Sequence, residues 1–191
     1  KEAEGPTVIN FPEGEYQIYP DKAQERELYI SNTVGADQAY KMKKIGILLE
    51  DMENVTVEGN GSLFLFHGKM TTFAAIRCKN VKFQNFSVDF QVPTVVDITV
   101  EAVEGNSATV YIPECYNYEI DGTSIVWKSD VSPYTGQTYW TGRNGFNYTQ
   151  IYDLKTGLTL RGSNPLFSGV SSIEDLGNHR VRFQYGSISS A

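Results

Sequence analysis

Five carboxyl side chains in the first half of the chain are of the type that moves protons on a polar substrate: Glu50, Asp51, Glu53, Glu58 and Asp89. Cleaving a glycosidic bond takes two such groups at a defined separation, one as acid and one as base or nucleophile. Asp89 is the most interesting, because it alternates with Val88 and Phe90 and so leaves its strand on the opposite face. The plainer reading of an Asp there is a solvated surface carboxylate, and none of the five forms a convincing pair by spacing. A second group, Tyr134, Tyr139, Trp140 and Arg143, lies in a Gly- and Thr-rich stretch between strands. Exposed aromatic rings beside a guanidinium suit stacking on a sugar ring and clamping its hydroxyls. The plainer reading has them cover the mouth of a barrel or pack on another part of the protein.

Other chemistries find little support. The two histidines, His67 and His179, are far apart, and no Cys or His cluster has metal-ligand spacing, so no metal and no cofactor is expected. His67, within Phe66-His67-Gly68-Lys69, reads as a corner residue. Gly59-Asn60-Gly61 is too short and turn-like for a phosphate loop, and no nucleophile elbow occurs. Cys78 and Cys115 read as two buried free thiols rather than a disulfide. Asn-x-Ser/Thr sites stand at Asn54, Asn85 and Asn147, and two of them coincide with the corners described next.

The elements that must carry these residues follow two grammars. In the first, Asn54-Val55-Thr56-Val57-Glu58-Gly59 recurs as Asn80-Val81-Lys82-Phe83-Gln84-Asn85, 26 residues further on. That step falls in the range of stacked structural repeats. Each copy leads into a second short strand, and asparagine at a corner tolerates the left-handed backbone. The pattern predicts coils of a parallel β-helix, preceded by a cap-like strand–turn–strand at residues 7–18. An ordinary antiparallel sheet is the alternative. Residues 20–27 are the best helix candidate, and a weak one.

After Pro93 the strands lengthen. Residues 95–104 alternate Val96, Ile98, Val100 and Ala102 against Val95, Asp97, Thr99 and Glu101, the pattern of a strand with one buried face. Gly105-Asn106, Asp121-Gly122 and residues 153–157 read as hairpin turns, and a last strand runs over 179–185. The expected organisation is therefore all-β: residues 1–92 as the cap and first coils of a right-handed parallel β-helix, then residues 93–191 as an antiparallel β-barrel or sandwich inserted into it. A stacked fold wants about three or more repeats, so further coils are expected after residue 191 in a parent protein.

Composition narrows the partners. The 191 residues carry a net charge of −7, which repels a phosphate backbone, so no nucleic-acid partner is expected. No apolar run approaches the roughly 20 residues of a membrane span. Aromatic residues make up 13% of the chain, most simply for strand packing.

Val8-Ile9-Asn10-Phe11-Pro12-Glu13-Gly14-Glu15-Tyr16 resembles the opening of pectin-lyase-like β-helices. More specific are Gly46-Ile47-Leu48-Leu49, Asn54 to Gly61, Phe66 to Thr71 and Ser87 to Thr94, with Trp140-Thr141-Gly142-Arg143-Asn144 and Asn178 to Phe183 later. Together these resemble the amino-terminal part of the exo-α-1,3-galactosidases of glycoside hydrolase family 110, over essentially the whole chain. The resemblance implies a β-helix with an inserted β-barrel, and inverting, metal-free removal of terminal α-1,3-linked galactose from blood-group-B-type glycans. It also implies an α-galactosyl glycan as partner, a secreted or periplasmic bacterial parent that could form a homodimer, and catalytic acids on later coils, so the fragment alone is expected to be inactive. Two other readings stand beside it: a non-catalytic glycan-binding module on a β-helix stem, and a lyase or esterase on the same class of fold.

Overall fold

A computed structural model of the chain describes residues 5–29, 41–143, 149–162 and 166–186. Among them the protein is all-β, as expected, with one 3-10 turn at Pro20–Lys22 and no α-helix. The chain divides into two compact units, Lys1–Gln91 with Asp130–Gln137, and Val92–Ser129 with Thr138–Ala191.

The first unit contains strands β1 (Thr7–Asn10), β2 (Glu15–Ile18), β3 (Gln24–Glu27), β4 (Met42–Glu50), β5 (Val55–Phe66), β6 (Thr71–Ile76) and β7 (Lys82–Phe90). Strand β5 is the middle of a parallel stack. On one edge β1 and β2 pair with it, Thr7 opposite Val55 and Glu15 opposite Leu63. On the other edge β7 pairs with it, Thr56 opposite Lys82 and Phe66 opposite Phe90. Strand β6 lies parallel to β4 with Ile45 opposite Thr71, so the 26-residue step of the sequence repeat is the register of this pair too. The repeat shows two copies, whereas the pairing has three tiers. The first tier, β1 and β2, pairs with β5 in the same parallel sense, but at another offset and without the Asn-Val signature.

The corners work as their residue types demand. Asn54 and Asn80 both take the left-handed backbone, φ 58° and 52°, which asparagine accepts at little cost. The Asn80 Nδ2 donates to Asn54 Oδ1 at 2.7 Å, tying one tier to the next. Inside the stack, Phe64 and Phe66 are fully buried. Phe64 sits 5.0 Å, centroid to centroid, from both Phe11 and Phe86, edge to face in each case. One ring from each tier thus meets its neighbours in the geometry aromatic quadrupoles prefer. At Gly59 a Cβ would fall 2.5 Å from the Phe86 Cβ and 2.8 Å from the Asn85 carbonyl oxygen. The close passage of β5 over the β7 corner therefore requires glycine.

Residues 20–27 are not a helix. Pro20 and Asp21 open a single 3-10 turn, and Gln24–Glu27 then pair antiparallel with Ile45–Met42 of β4. Glu25, Arg26 and Glu27 thus lie on a strand, with Arg26 reaching Glu50 at 2.7 Å.

The second unit contains β8 (Thr99–Glu104), β9 (Ser107–Tyr111), β10 (Asn117–Asp121), β11 (Ser124–Lys128), β12 (Thr141–Arg143), β13 (Thr149–Tyr152), β14 (Thr159–Gly162), β15 (Val170–Gly177) and β16 (Arg180–Tyr185). All its pairings are antiparallel, in sheets β15-β16-β9-β8, β10-β11-β12 and β13-β14. Trp127, Ile125, Val110, Ile112, Val181 and Phe183 form its buried core. No closed barrel is found among the described residues, because no strand pairing joins these three sheets.

Two local readings shift. The hairpin between β10 and β11 closes on Asp121 opposite Ser124, so the turn is Gly122-Thr123 rather than Asp121-Gly122, with Gly122 supplying φ 61°. The alternation through residues 95–104 breaks at Glu101, an extra residue between the Val100–Val110 and Ala102–Thr109 pairs. At this irregularity Val100, expected on the buried face, is 52% exposed. Val96 and Ile98 pack on the core, and Val103 is 66% exposed, on the outward face of the alternation.

Candidate functional site

A buried polar cluster of the first unit is built around His67, the residue that follows β5. Its main-chain N–H donates to the Ile18 carbonyl, which fixes the ring at the end of β2. The residue is 7% exposed. Its Nδ1 lies 2.6 Å from Asp130 Oδ2, and its Nε2 lies 2.5 Å from Gln17 Oε1. The other Asp130 oxygen accepts the Gly68 N–H at 3.2 Å. The Tyr19 ring stacks on the imidazole at 4.1 Å with 21° between planes, and the Tyr134 ring meets Tyr19 edge-on. Ser132 donates to Asp21 Oδ1 at 2.8 Å and also accepts the Tyr134 and Thr135 N–H groups, so Asp130–Gln137 is anchored at both ends of the cluster.

Beside this cluster lies a cavity of about 230 Å³, lined by Gln17, Tyr19, Lys22, Gly46 and Tyr134 among others, with the Lys22 ammonium 5.0 Å from the Tyr134 ring centre. Both imidazole nitrogens of His67 are already engaged by side-chain oxygens. That suits a residue that holds a segment in place, as its reading as a corner residue implies, more than a base waiting for a substrate proton. Sequence reasoning missed Asp130 because its partner is 63 residues away and no local pattern joins them.

The five carboxyls are spread through structural roles. Glu50 receives hydrogen bonds from Arg26 and Arg77, and Asp51 is paired with Arg77. Glu53 sits 4.0 Å from the Lys79 ammonium. Glu58 accepts from Gln84 Nε2 at 2.7 Å, the Asn60 N–H at 3.1 Å and Asn85 Nδ2 at 3.0 Å. These donors hold the carboxyls of Glu50, Asp51 and Glu58 below the ordinary carboxylate range: the Arg26 hydrogen bond leads for Glu50, the Arg77 bond for Asp51 and the Gln84 bond for Glu58. A catalytic acid needs the opposite shift, upward toward working pH. Asp89 is exposed, with Oδ1 accepting the N–H of Phe90 at 2.8 Å.

Of the aromatic and Arg group, Tyr134 belongs to the first unit and Tyr139, Trp140 and Arg143 to the second. The Tyr139 and Trp140 N–H groups both donate to Ser129 Oγ, at 2.7 and 3.0 Å, which brings these two together. The Trp140 ring packs against the core, and its buried Nε1 has no hydrogen-bond partner among the described residues. Arg143 pairs with Asp121 at 2.5 Å. Asn144 to Asn147 lie outside the described residues, including the glycosylation-type site at Asn147. Cys78 is half-buried and Cys115 exposed in the turn after Pro113; both are free, so the expectation of two buried thiols fails at Cys115. Among the described residues no group of three or more His, Cys, Asp or Glu is placed to hold a metal ion.

No protein-family model matches the chain. It is 48% identical over 189 residues, 97% of its length, to Alpha-1,3-galactosidase A of Streptomyces avermitilis. The chain is homologous to part of the alpha-1,3-galactosidases. The same-named protein of Peterkaempfera griseoplana is 47% identical over 95% of this chain, and that of Bacteroides fragilis 38% identical over 61%. The match to these alpha-1,3-galactosidases is partial on their side: the chain spans 30%, 26% and 19% of their lengths.

Proposed function

We propose that the chain is the amino-terminal part of an exo-α-1,3-galactosidase that hydrolyses terminal α-1,3-linked galactose from blood-group-B-type glycans with inversion. The observation that carries this reading is 48% identity across 97% of the chain to a protein of that name. We also read the first unit as the opening tiers of a right-handed parallel β-helix and the second as a barrel- or sandwich-type insertion beginning near residue 93. The parallel pairing, 26 residues apart at Thr56–Glu58 and 24 after the irregularity, and the Asn54–Asn80 bond support the first, and the all-antiparallel pairing supports the second. The parent is proposed to be a secreted or periplasmic bacterial protein.

In this reading the chain supplies framework, and the acid–base pair comes from later coils. The downward shifts at Glu50, Asp51 and Glu58 support that, since each is tied up by a donor that favours its charged form. Inversion would require one carboxylic acid to protonate the leaving oxygen and a carboxylate about 6.5–9.5 Å away to activate water. No helix among the described residues is long and apolar enough to cross a membrane.

The test is galactose release from a B-type α-1,3-galactoside. The chain is assayed alone and as a replacement for the matching segment of the Streptomyces avermitilis protein. The chimera is expected to release galactose and the chain alone to release none. Release by the chain alone, or a folded chimera without activity, overturns the reading.

A further inference from the structure

A second cavity, of about 360 Å³, lies wholly within the second unit, where the β15–β16 turn faces the start of β10. Its working groups are Asn117, Tyr118, Asp175, Asn178 and His179. The volume is at the lower end of what small-molecule sites use.

Three observations set this cavity apart. First, Asn178 and His179 both hold the left-handed backbone, φ 50° and 57°. They are the two central residues of the β15–β16 hairpin, where a type I′ turn asks for positive φ at both; histidine meets that demand at a cost, and the turn fixes where its ring sits. Second, His179 Nδ1 is buried and has no hydrogen-bond partner among the described residues. Third, the lining has no lysine or arginine, and its one fully ionisable acid, Asp175, has committed Oδ1 to the Gly177 N–H at 2.8 Å.

From these groups we infer that the cavity binds a neutral, hydroxyl-rich ring, that is, a saccharide unit. A hydroxyl both donates and accepts, so it matches a lining that mixes the Asn117 amide, the Tyr118 phenol and the Asp175 carboxylate. The Tyr118 ring, edge-on to His179 at 6.1 Å, gives the apolar wall that the carbon face of a sugar needs. Burial, then the Asp175 charge, pushes the Tyr118 phenol up, so its hydroxyl is a donor at neutral pH. With no cation in the lining and a carboxylate present, an anionic ligand is disfavoured.

The choice of a galactoside as first probe rests on the proposed function; the lining chemistry itself requires only a neutral sugar. The test is a ¹H–¹⁵N NMR titration of the 191-residue chain with methyl α-galactoside, methyl α-glucoside and sialic acid. The expected result is saturable shifts at Tyr118 and Asp175–His179 with a neutral sugar, at a Kd on the order of 1 mM. Affinity should fall roughly tenfold in Asp175→Asn, which can still accept from Gly177, and in His179→Gly, which relaxes the turn. Binding of the glucoside but not the galactoside would uphold the cavity and count against the galactosidase reading. Absence of shifts with both neutral sugars, unchanged affinity in both variants, or tighter binding of sialic acid would overturn the inference.

Discussion

The two units solve the same problem, how to satisfy a sheet's edges and faces, in opposite ways. The first stacks parallel strands in register, so side chains of one type meet their own kind: Asn80 on Asn54, Phe86 on Phe64 on Phe11. The second folds back on itself through hairpins, and its core is assembled from Trp127, Phe183 and aliphatic residues. The difference shows in the polar groups. The buried polar cluster of the first unit is bonded throughout, with both nitrogens of His67 engaged. The second unit leaves Trp140 Nε1 and His179 Nδ1 buried without partners among the described residues. Stacking thus gives a frame with its buried polar groups spoken for, while the hairpin unit leaves two buried ring nitrogens without a partner among the described residues.

The comparison breaks most sharply at the cores. Phe64→Ala in the first unit and Trp127→Ala in the second should each cost about 3–5 kcal/mol, read as lost hydrogen-exchange protection in β5 and in β9 and β16 respectively. Both tryptophans, Trp127 and Trp140, belong to the second unit, so tryptophan fluorescence, excited selectively, reports on that unit.

Gly59→Ala should come next, at about 1–3 kcal/mol, because the added methyl meets backbone and a Cβ rather than a yielding side-chain tip. Gly122→Ala in the second unit has open space around its Cβ and costs only the left-handed backbone, about 1–2 kcal/mol. Chemical denaturation of the two variants measures the gap. Asn80→Ala loses both the corner conformation and the 2.7 Å bond, about 2 kcal/mol together, and Asn80→Gly should recover roughly half.

The smallest effect is the response to acid. Glu50, Asp51 and Glu58 have folded-state values lowered from ordinary values of 4.5, 3.8 and 4.5. A lowered value adds stability above the unfolded value, and that stability is lost as pH falls through the folded one. The thermal midpoint should therefore hold between about pH 5 and 7 and fall below about pH 4.5. Glu58→Gln should flatten that fall, since the glutamine oxygen can keep the Gln84 and Asn85 bonds without titrating, at the loss of the Asn60 N–H bond made to the other oxygen.

Much of this frame is legible in the residues, because its signals are local. The Asn54 and Asn80 corners announce a 26-residue step, and the Gly105-Asn106 turn sits where its residues say. The failures come where distant partners decide. Gln24–Glu27 has a helix-like charge pattern, yet pairing with β4 draws it into a sheet. One extra residue at Glu101 interrupts the ladder and leaves Val100 exposed, and a count of apolar alternation cannot foresee it. The first tier carries no Asn-Val signature, and Asp130 meets His67 across a long stretch of chain with no motif to flag it. At the level of function, the carboxyls drew attention by type, and the sequence does not reveal that arginine and amide donors already hold three of them.

The central claim is that this chain frames a galactosidase site without supplying its acids. The most direct test is kcat for galactose release by the chimera carrying Asp89→Asn, the exposed carboxyl held only by its neighbour's N–H. The account predicts a kcat within about threefold of the parent chimera. A fall of about a thousandfold or more, the size expected when an acid or base of the reaction is removed, would place a catalytic carboxyl inside this chain and contradict it.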